Sequence, residues 1–311
     1  MPPRLRLRRQ CAAMQVHYRL LETDPGFRRR QISLEHAFAR RALTVLDISA
    51  RPLARIPVVV HVVHRTREER ISAGQVRSQI AVLNRDFRRA NPDRSKVPAA
   101  WKGLVADARI EFSLATRDPE GRATDGITRT ATTRRGFGTG DTVKFRSRGG
   151  ADAWPSDRYL NIWVATLEGG LLGYAQFPGG PRRTDGVVIL NRAFGTRGLA
   201  TAPFDAGRTT THEVGHWLNL RHIWGDTEDC SGGDLVADTP NAETPNYGKP
   251  RFPHISCRNA PNGDMFMNYM DYVDDEAMHL FTVGQVARMH ATLDGPRKGI
   301  EASAKRRRRA R

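Results

Sequence analysis

The 311-residue chain has only three cysteines, no long apolar run, and no apolar segment behind its charged start. Three thiols, Cys11, Cys230 and Cys257, are too few for a disulfide scaffold; the arithmetic allows one pair and one odd thiol. The longest apolar stretch, Ile56 to Val63, is broken by Pro57 and His61, so no stretch has the length of a membrane-spanning helix and membrane insertion is not expected. The N-terminus, MPPRLRLRRQCAAMQ, lacks the roughly 7–15 apolar residues that make the core of a signal peptide. As written, the sequence therefore does not announce simple secretion.

Arginine is abundant and unevenly placed. The formal net charge is +17, yet residues 1–56 carry twelve Arg against four acids, and residues 297–311 carry eight Lys or Arg against Glu301. The body between them is nearly neutral. The run Lys305-Arg306-Arg307-Arg308-Arg309 could touch nucleic acid or another polyanion. No aromatic residue is interleaved with it for base stacking, and a solvated, disordered tail is the simpler reading.

Hydrophobic content of 39% over this length suits one large domain with a short appendage. Residues 1–55 are Arg-rich with helical spacing around Tyr18, Leu20 and Leu21, then Ile32 and Leu34. IPVVVHVV (56–63) is β-branched and reads as a buried strand. Residues 72–90 read as an amphipathic helix with Ser72 as N-cap, Gln75 as capping-box partner, and Val76, Ile80, Leu83 and Phe87 as its apolar face. Strands are expected at 110–115, 159–165 and 186–190, with an irregular or edge strand over 169–178 and loop over 116–150. A helix is expected over 209–220 with Thr209 or Thr210 near its cap, then irregular chain over 225–268. A last helix is capped by Thr282 with Gln285 three residues on.

The chemistry concentrates in His212-Glu213-Val214-Gly215-His216-Trp217-Leu218-Asn219-Leu220-Arg221-His222. Residues four apart share one helix face, so His212 and His216 can bind one ion while Glu213 reaches a water on it without ligating it. This is the H-E-x-x-H arrangement of a zinc hydrolase. For His222 to act as third ligand the helix must end in a sharp turn through a left-handed residue. Asn219 is the non-glycine residue that best tolerates that conformation.

With the third His at this spacing, and with the stretches IPVVVHVV, SQIAVLNRDF, YLNIWVA, GYAQFPGG, DGVVIL, HEVGHWLNLRHIWGD, DTP and MNYMDYVDD, the chain resembles the small microbial members of the pappalysin family of metzincins. The resemblance covers roughly residues 56–293. It implies an α+β zincin: a mixed twisted sheet over a zinc-binding helix, and an irregular lower half ending in a helix. It divides the chain into a pro-segment (1–55), a catalytic domain (56–296) and a basic disordered tail (297–311). The implied activity is zinc endopeptidase, acting on protein or peptide substrates that add as a strand to the sheet edge near GLLGYAQF.

The resemblance also assigns residues. Glu213 is the general base, Tyr272 donates to the oxyanion, and Met270 forms the methionine turn beneath the ligands. Glu276 is the acid of a pocket for basic residues just after the scissile bond, which makes Ala50–Arg51 and Ala54–Arg55 self-cleavage candidates. Cys230 and Cys257 match one disulfide of the family, while the positions of a second appear as Lys249 and Ala277. Cys11 resembles the pro-segment cysteine that ligates zinc in the latent form, although an inert free thiol is the simpler alternative. Asp226, Asp234, Asp238 and Thr239 make an oxygen-rich loop, in which Asp234, Val236 and Thr239 match a calcium site. Family habit implies secretion. A non-catalytic zinc-stabilised binding protein is the competing reading, against which the retained Glu213 argues, and a polyanion binder using the basic ends is another.

Overall fold

The computed structural model describes residues 8–42 and 51–300. Strand β1 (Ala54–His64) is buried along its whole length except at Arg55 and His64. A strand covered on both faces has no need of polar alternation, which is why its sequence is a nearly continuous β-branched run. Fully burying each of Val58, Val60 and Val62 contributes about 1.5 kcal/mol or more. On one side β1 pairs in parallel with β2 (Ile110–Leu114) through its first half and with β3 (Ile127–Ala131) through its second. On the other side it pairs in parallel with β4 (Leu160–Ala165), which in turn pairs with β6 (Val187–Leu190). The short β5 (Gly173–Ala175) runs antiparallel to β6 and forms the sheet edge. The mixed sheet and its helices are those of an α+β fold, as expected.

The main core fills the space between one sheet face and the helices α3 (Ala73–Phe87), α4 (Arg208–Trp217) and α5 (Val283–Asp294). The α3 N-terminus departs from a full capping box. Ser72 accepts from Gln75 N, but the Gln75 side-chain amide donates to Asn191 O and Phe194 O instead of turning back. At α5 both reciprocal bonds between Thr282 and Gln285 are made. Val63, Trp163, Tyr174 and Val188 face the other side of the sheet, covered by Phe137, Val143 and Ala151 from the long connection. Within that connection, read from sequence as loop, residues 127–131 pair with β1 as β3. His61 is a satisfied core histidine, between Thr128 Oγ1 and Asn161 Oδ1.

Helices α1 (Ala13–Thr23) and α2 (Pro25–Ala42) form the N-terminal appendage, packed against β5 and α5 respectively. Two expected boundaries shift. Ala54 already belongs to β1, so the Ala54–Arg55 bond lies inside a paired strand. Ala50, of the other proposed self-cleavage bond, lies outside the described residues. At the far end, Arg297 is buried rather than part of a tail. It pairs with Asp185, lies 3.9 Å over the Trp217 ring, and donates to the Trp217 carbonyl at the end of α4. Ile300 is buried too. The rest of the basic tail, 301–311, lies outside the described residues.

Candidate active site

All ten residues of α4 are buried. The helix has no solvent face, so each of its polar groups must find a protein partner or a ligand. Its N-cap is Gly207, at φ 76°, rather than Thr209 or Thr210. The helix ends at Trp217 and the chain reverses through Asn219, whose φ of 73° is left-handed as the spacing requires. That turn returns His222 to the face shared by His212 and His216. The three Nε2 atoms lie 3.1 Å (212 to 216), 3.1 Å (216 to 222) and 3.3 Å (212 to 222) apart.

Each Nδ1 is already committed: to Tyr269 O at 2.8 Å for His212, to Leu220 O at 2.8 Å for His216, and to Asp226 Oδ1 at 2.6 Å for His222. These acceptors hold the ring proton on Nδ1 and leave three Nε2 lone pairs facing one another. Without a cation this arrangement is repulsive. Around zinc, with Zn–N of about 2.0–2.1 Å in a tetrahedron, neighbouring ligand nitrogens sit roughly 3.3 Å apart, which the observed spacing matches. The Cys11 sulfur completes a four-ligand set whose atoms all lie within 4.8 Å of one another. Burial, with the charges of neighbouring histidines, pushes His212 and His216 well below the usual imidazole range and favours the neutral, ligating form.

Glu213 follows His212 and is fully buried beside the cluster, and burial pushes its carboxyl up to about 8. The Cys11 thiol donates to its Oε2 at 3.4 Å. A Cβ on Gly173 would come within 2.9 Å of the Glu213 side chain, so this position of the edge strand must be glycine. Met270 packs beneath the ligand helix: a Cβ on Gly215 would sit 2.5 Å from its sulfur. Tyr272 lies edge-on to His222, with its hydroxyl donating to Cys11 O at 3.1 Å.

The appendage threads the cleft along β5. Leu172 N donates to Gln10 O at 2.9 Å and Ala12 N donates to Gly173 O at 3.1 Å, placing Cys11 alongside Gly173 in parallel. Two residues before the thiol, Arg9 is fully buried. Its guanidinium pairs with Asp275 Oδ1 at 2.6 Å, donates to Thr209 Oγ1 and Val273 O, and lies over the Phe204 ring. Asp275 is held in turn by Ala206 N and Arg208 N. The acid of this pocket is therefore Asp275, and the expectation for Glu276 is corrected: Glu276 is exposed and pairs with Lys249. The two acids are consecutive in a 3-10 turn (Asp275–Ala277), where successive side chains point about 120° apart, so only one can face inward.

Cys230 and Cys257 are bonded across a separation of 27 residues, worth about 3 kcal/mol or somewhat more by loop entropy. Asp234, Val236 and Thr239 do come together: Thr239 Oγ1 lies 2.8 Å from both Asp234 oxygens and 2.9 Å from Val236 O. The other two loop acids are used elsewhere, Asp226 on His222 and Asp238 at the N-terminus of α5. Sequence reasoning missed Arg9, Asp275 and the roles of Asp226 and Arg208. Arg208 donates to Tyr269 Oη at 2.8 Å and pairs with buried Asp86, which steadies the residue whose carbonyl orients His212. Asp86, lying beside Leu83 and Phe87 on the inner side of α3, was the available signal.

A family model described as "Pregnancy-associated plasma protein-A", a peptidase family, matches residues 147–294. An extracellular metalloprotease of Verticillium alfalfae is 32% identical over 264 residues, 81% of this chain and 80% of its own length. One from Pyricularia oryzae is 41% identical over 147 residues, 45% of this chain. In that match, as in several others, the chain spans about half the length of the curated relative. Among solved structures, mature mirolysin of Tannerella forsythia in complex with a cleaved peptide is 52% identical, covers 82% of this chain and 98% of its own, and superposes with a TM-score of 0.81. A promirolysin mutant of the same organism is 46% identical, covers 96% of this chain and 99% of its own, and has a TM-score of 0.87.

Proposed function

As the chain belongs to the pappalysin family of metalloproteases, we propose that it is a zinc endopeptidase, made latent and selective for a basic residue directly after the scissile bond. The observation that carries this reading is the convergence of three Nε2 lone pairs, with their Nδ1 protons committed elsewhere, beside a buried carboxyl. His212, His216 and His222 would hold zinc, which would supply an acidified water and polarise the scissile carbonyl. The chain's own groups do the rest. Glu213 accepts the proton of the attacking water and returns it to the leaving amine. Tyr272, whose hydroxyl donates to the carbonyl oxygen of Cys11, would donate to the oxyanion of the scissile carbonyl. A substrate adds as a strand to β5, using the Leu172 and Gly173 backbone groups that the appendage now occupies.

Latency follows from the same contacts. Cys11 takes the fourth ligand position, and Arg9 fills the pocket floored by Asp275. The existence of a pro-form of one structural neighbour supports this reading, and relatives named extracellular support export of the chain. A peptide series differing only in the residue after the scissile bond tests the specificity. Arg or Lys there should raise kcat/KM about 10–100-fold over Ala, the size of a charge-assisted hydrogen bond. Asp275→Asn should level the series, and a zinc chelator should abolish cleavage of every member. A flat series in the wild-type enzyme would defeat the specificity, and chelator-resistant cleavage would defeat the mechanism.

Asp234, Val236 and Thr239 offer hard oxygens of the six to eight that calcium takes, and among the described residues no cationic side chain hydrogen-bonds the buried Asp234 carboxylate. We assign calcium to them. Calcium at a hundredfold its Kd should raise Tm by roughly 5–10 °C. Equal melting with calcium and with a calcium chelator would remove the site.

A further inference from the structure

Arg9 is one of two consecutive cations that the appendage lays into the cleft. Its neighbour Arg8 leaves the Asp275 pocket and places its guanidinium over the Tyr247 ring, 4.9 Å from the centroid. Both line one open cavity of about 740 Å³, shared with Tyr247, Tyr272, Lys249 and Asp274. The surroundings suit a second positive charge. The face of Tyr247 is available, since the residue is 38% exposed and its ring is only tilted toward Tyr272 at 6.0 Å. Asp274 contributes negative charge to the wall. The cation of the wall, Lys249, is tied to Glu276. A guanidinium or ammonium over a phenol ring is attracted by the ring quadrupole and keeps most of its hydration at such an exposed site.

The position of this face defines a subsite. Arg8 follows Arg9 on the side of the appendage chain away from Cys11, so the Tyr247 face takes the residue next after the one in the Asp275 pocket, counting outward along the chain from Cys11. This holds whichever way a bound chain runs. We propose that Tyr247 is a second cation-binding subsite, which selects substrates with two consecutive basic residues after the scissile bond. The inference rests on the reading of Asp275 as the pocket for the first of those residues. Arg8 and Arg9 are then an internal copy of the preferred side chains, held beside a thiol instead of a cleavable bond.

The test uses the zinc-loaded enzyme, activated from the full-length chain, and four peptides identical except after the scissile bond: Arg-Arg, Arg-Ala, Arg-Glu and Ala-Ala. The wild type should cleave Arg-Arg with kcat/KM about three- to fivefold above Arg-Ala, mostly through KM, with Arg-Glu the poorest of the three Arg peptides. Tyr247→Ala should bring Arg-Arg and Arg-Ala together, and Tyr247→Phe, which keeps the ring, should restore the difference. The Arg-Ala over Ala-Ala preference reports on Asp275 alone, and its persistence in Tyr247→Ala shows that the variant is folded. Equal rates for Arg-Arg and Arg-Ala in the wild type, or a difference that survives Tyr247→Ala, overturn the subsite. Loss of the Arg-Ala over Ala-Ala preference in the wild type instead overturns the reading on which it rests.

Discussion

Replacing Glu213 by Gln should lower kcat for peptide hydrolysis by about 10²–10⁴-fold, the range by which a positioned general base accelerates a proton transfer. The variant should still bind an equivalent of zinc. Gln keeps the shape of the side chain, so the close approach of Gly173 and the packing of α4 are undisturbed. It also brings no charge into the buried site, so it leaves no unpaired ion behind. What it cannot do is accept a proton. Steady-state kinetics on one peptide, with metal analysis of the same preparation, checks both halves of the expectation. A zinc-replete variant within tenfold of wild type would remove Glu213 from the mechanism and revive the reading of a zinc-stabilised binding protein.

The second large effect is expected at Arg9. Breaking a buried ion pair by truncating one partner costs about 3–5 kcal/mol, because the other charge is left buried. Here the lower end applies, since Asp275 keeps the backbone donors Ala206 N and Arg208 N. About 3 kcal/mol is roughly a hundredfold in the equilibrium that holds the appendage in the cleft. Arg9→Ala should therefore shorten the lag before activity appears in a freshly purified sample, even though its Cys11 is intact. Cys11→Ala should shorten it too, by freeing the fourth ligand position, while leaving Arg9 and the β5 contacts in place. On the reading proposed above, an enzyme freed of the appendage would lack Arg9 and would leave Asp275 without a cation until a basic substrate side chain supplied one. The same electrostatics would then hold the latent form and choose the substrate. Lag times of wild type, Arg9→Ala, Arg9→Lys and Cys11→Ala, followed with one fluorogenic peptide, measure this. An Arg9→Ala sample as slow to activate as wild type would mean that the pair does not hold the appendage.

The clustering of His212, His216 and His222, their left-handed turn at Asn219, the capped final helix and the buried strand at 56–63 were all legible in the residues. Each is encoded locally: a four-residue period on a helix, a residue that tolerates positive φ, a hydroxyl three positions before a glutamine, a β-branched run. What the sequence by itself determined about this protein is therefore the histidine-bearing helix and the metalloprotease class. The choice of Asp275 over Glu276 was not encoded in that way. Two adjacent acids look equivalent until the 3-10 turn points one at Arg9 and the other at Lys249. Nor could the pairing of Arg9 with Asp275, the Asp226 hold on His222, or the docking of Arg297 under α4 be read in advance. The Arg9 and Arg297 contacts join residues 266 and 80 positions apart, and a charged side chain in an arginine-rich chain gives no sign of its partner until the backbone has brought the two together. Only the tertiary structure decided them, because burial is what makes a particular pairing of charges obligatory.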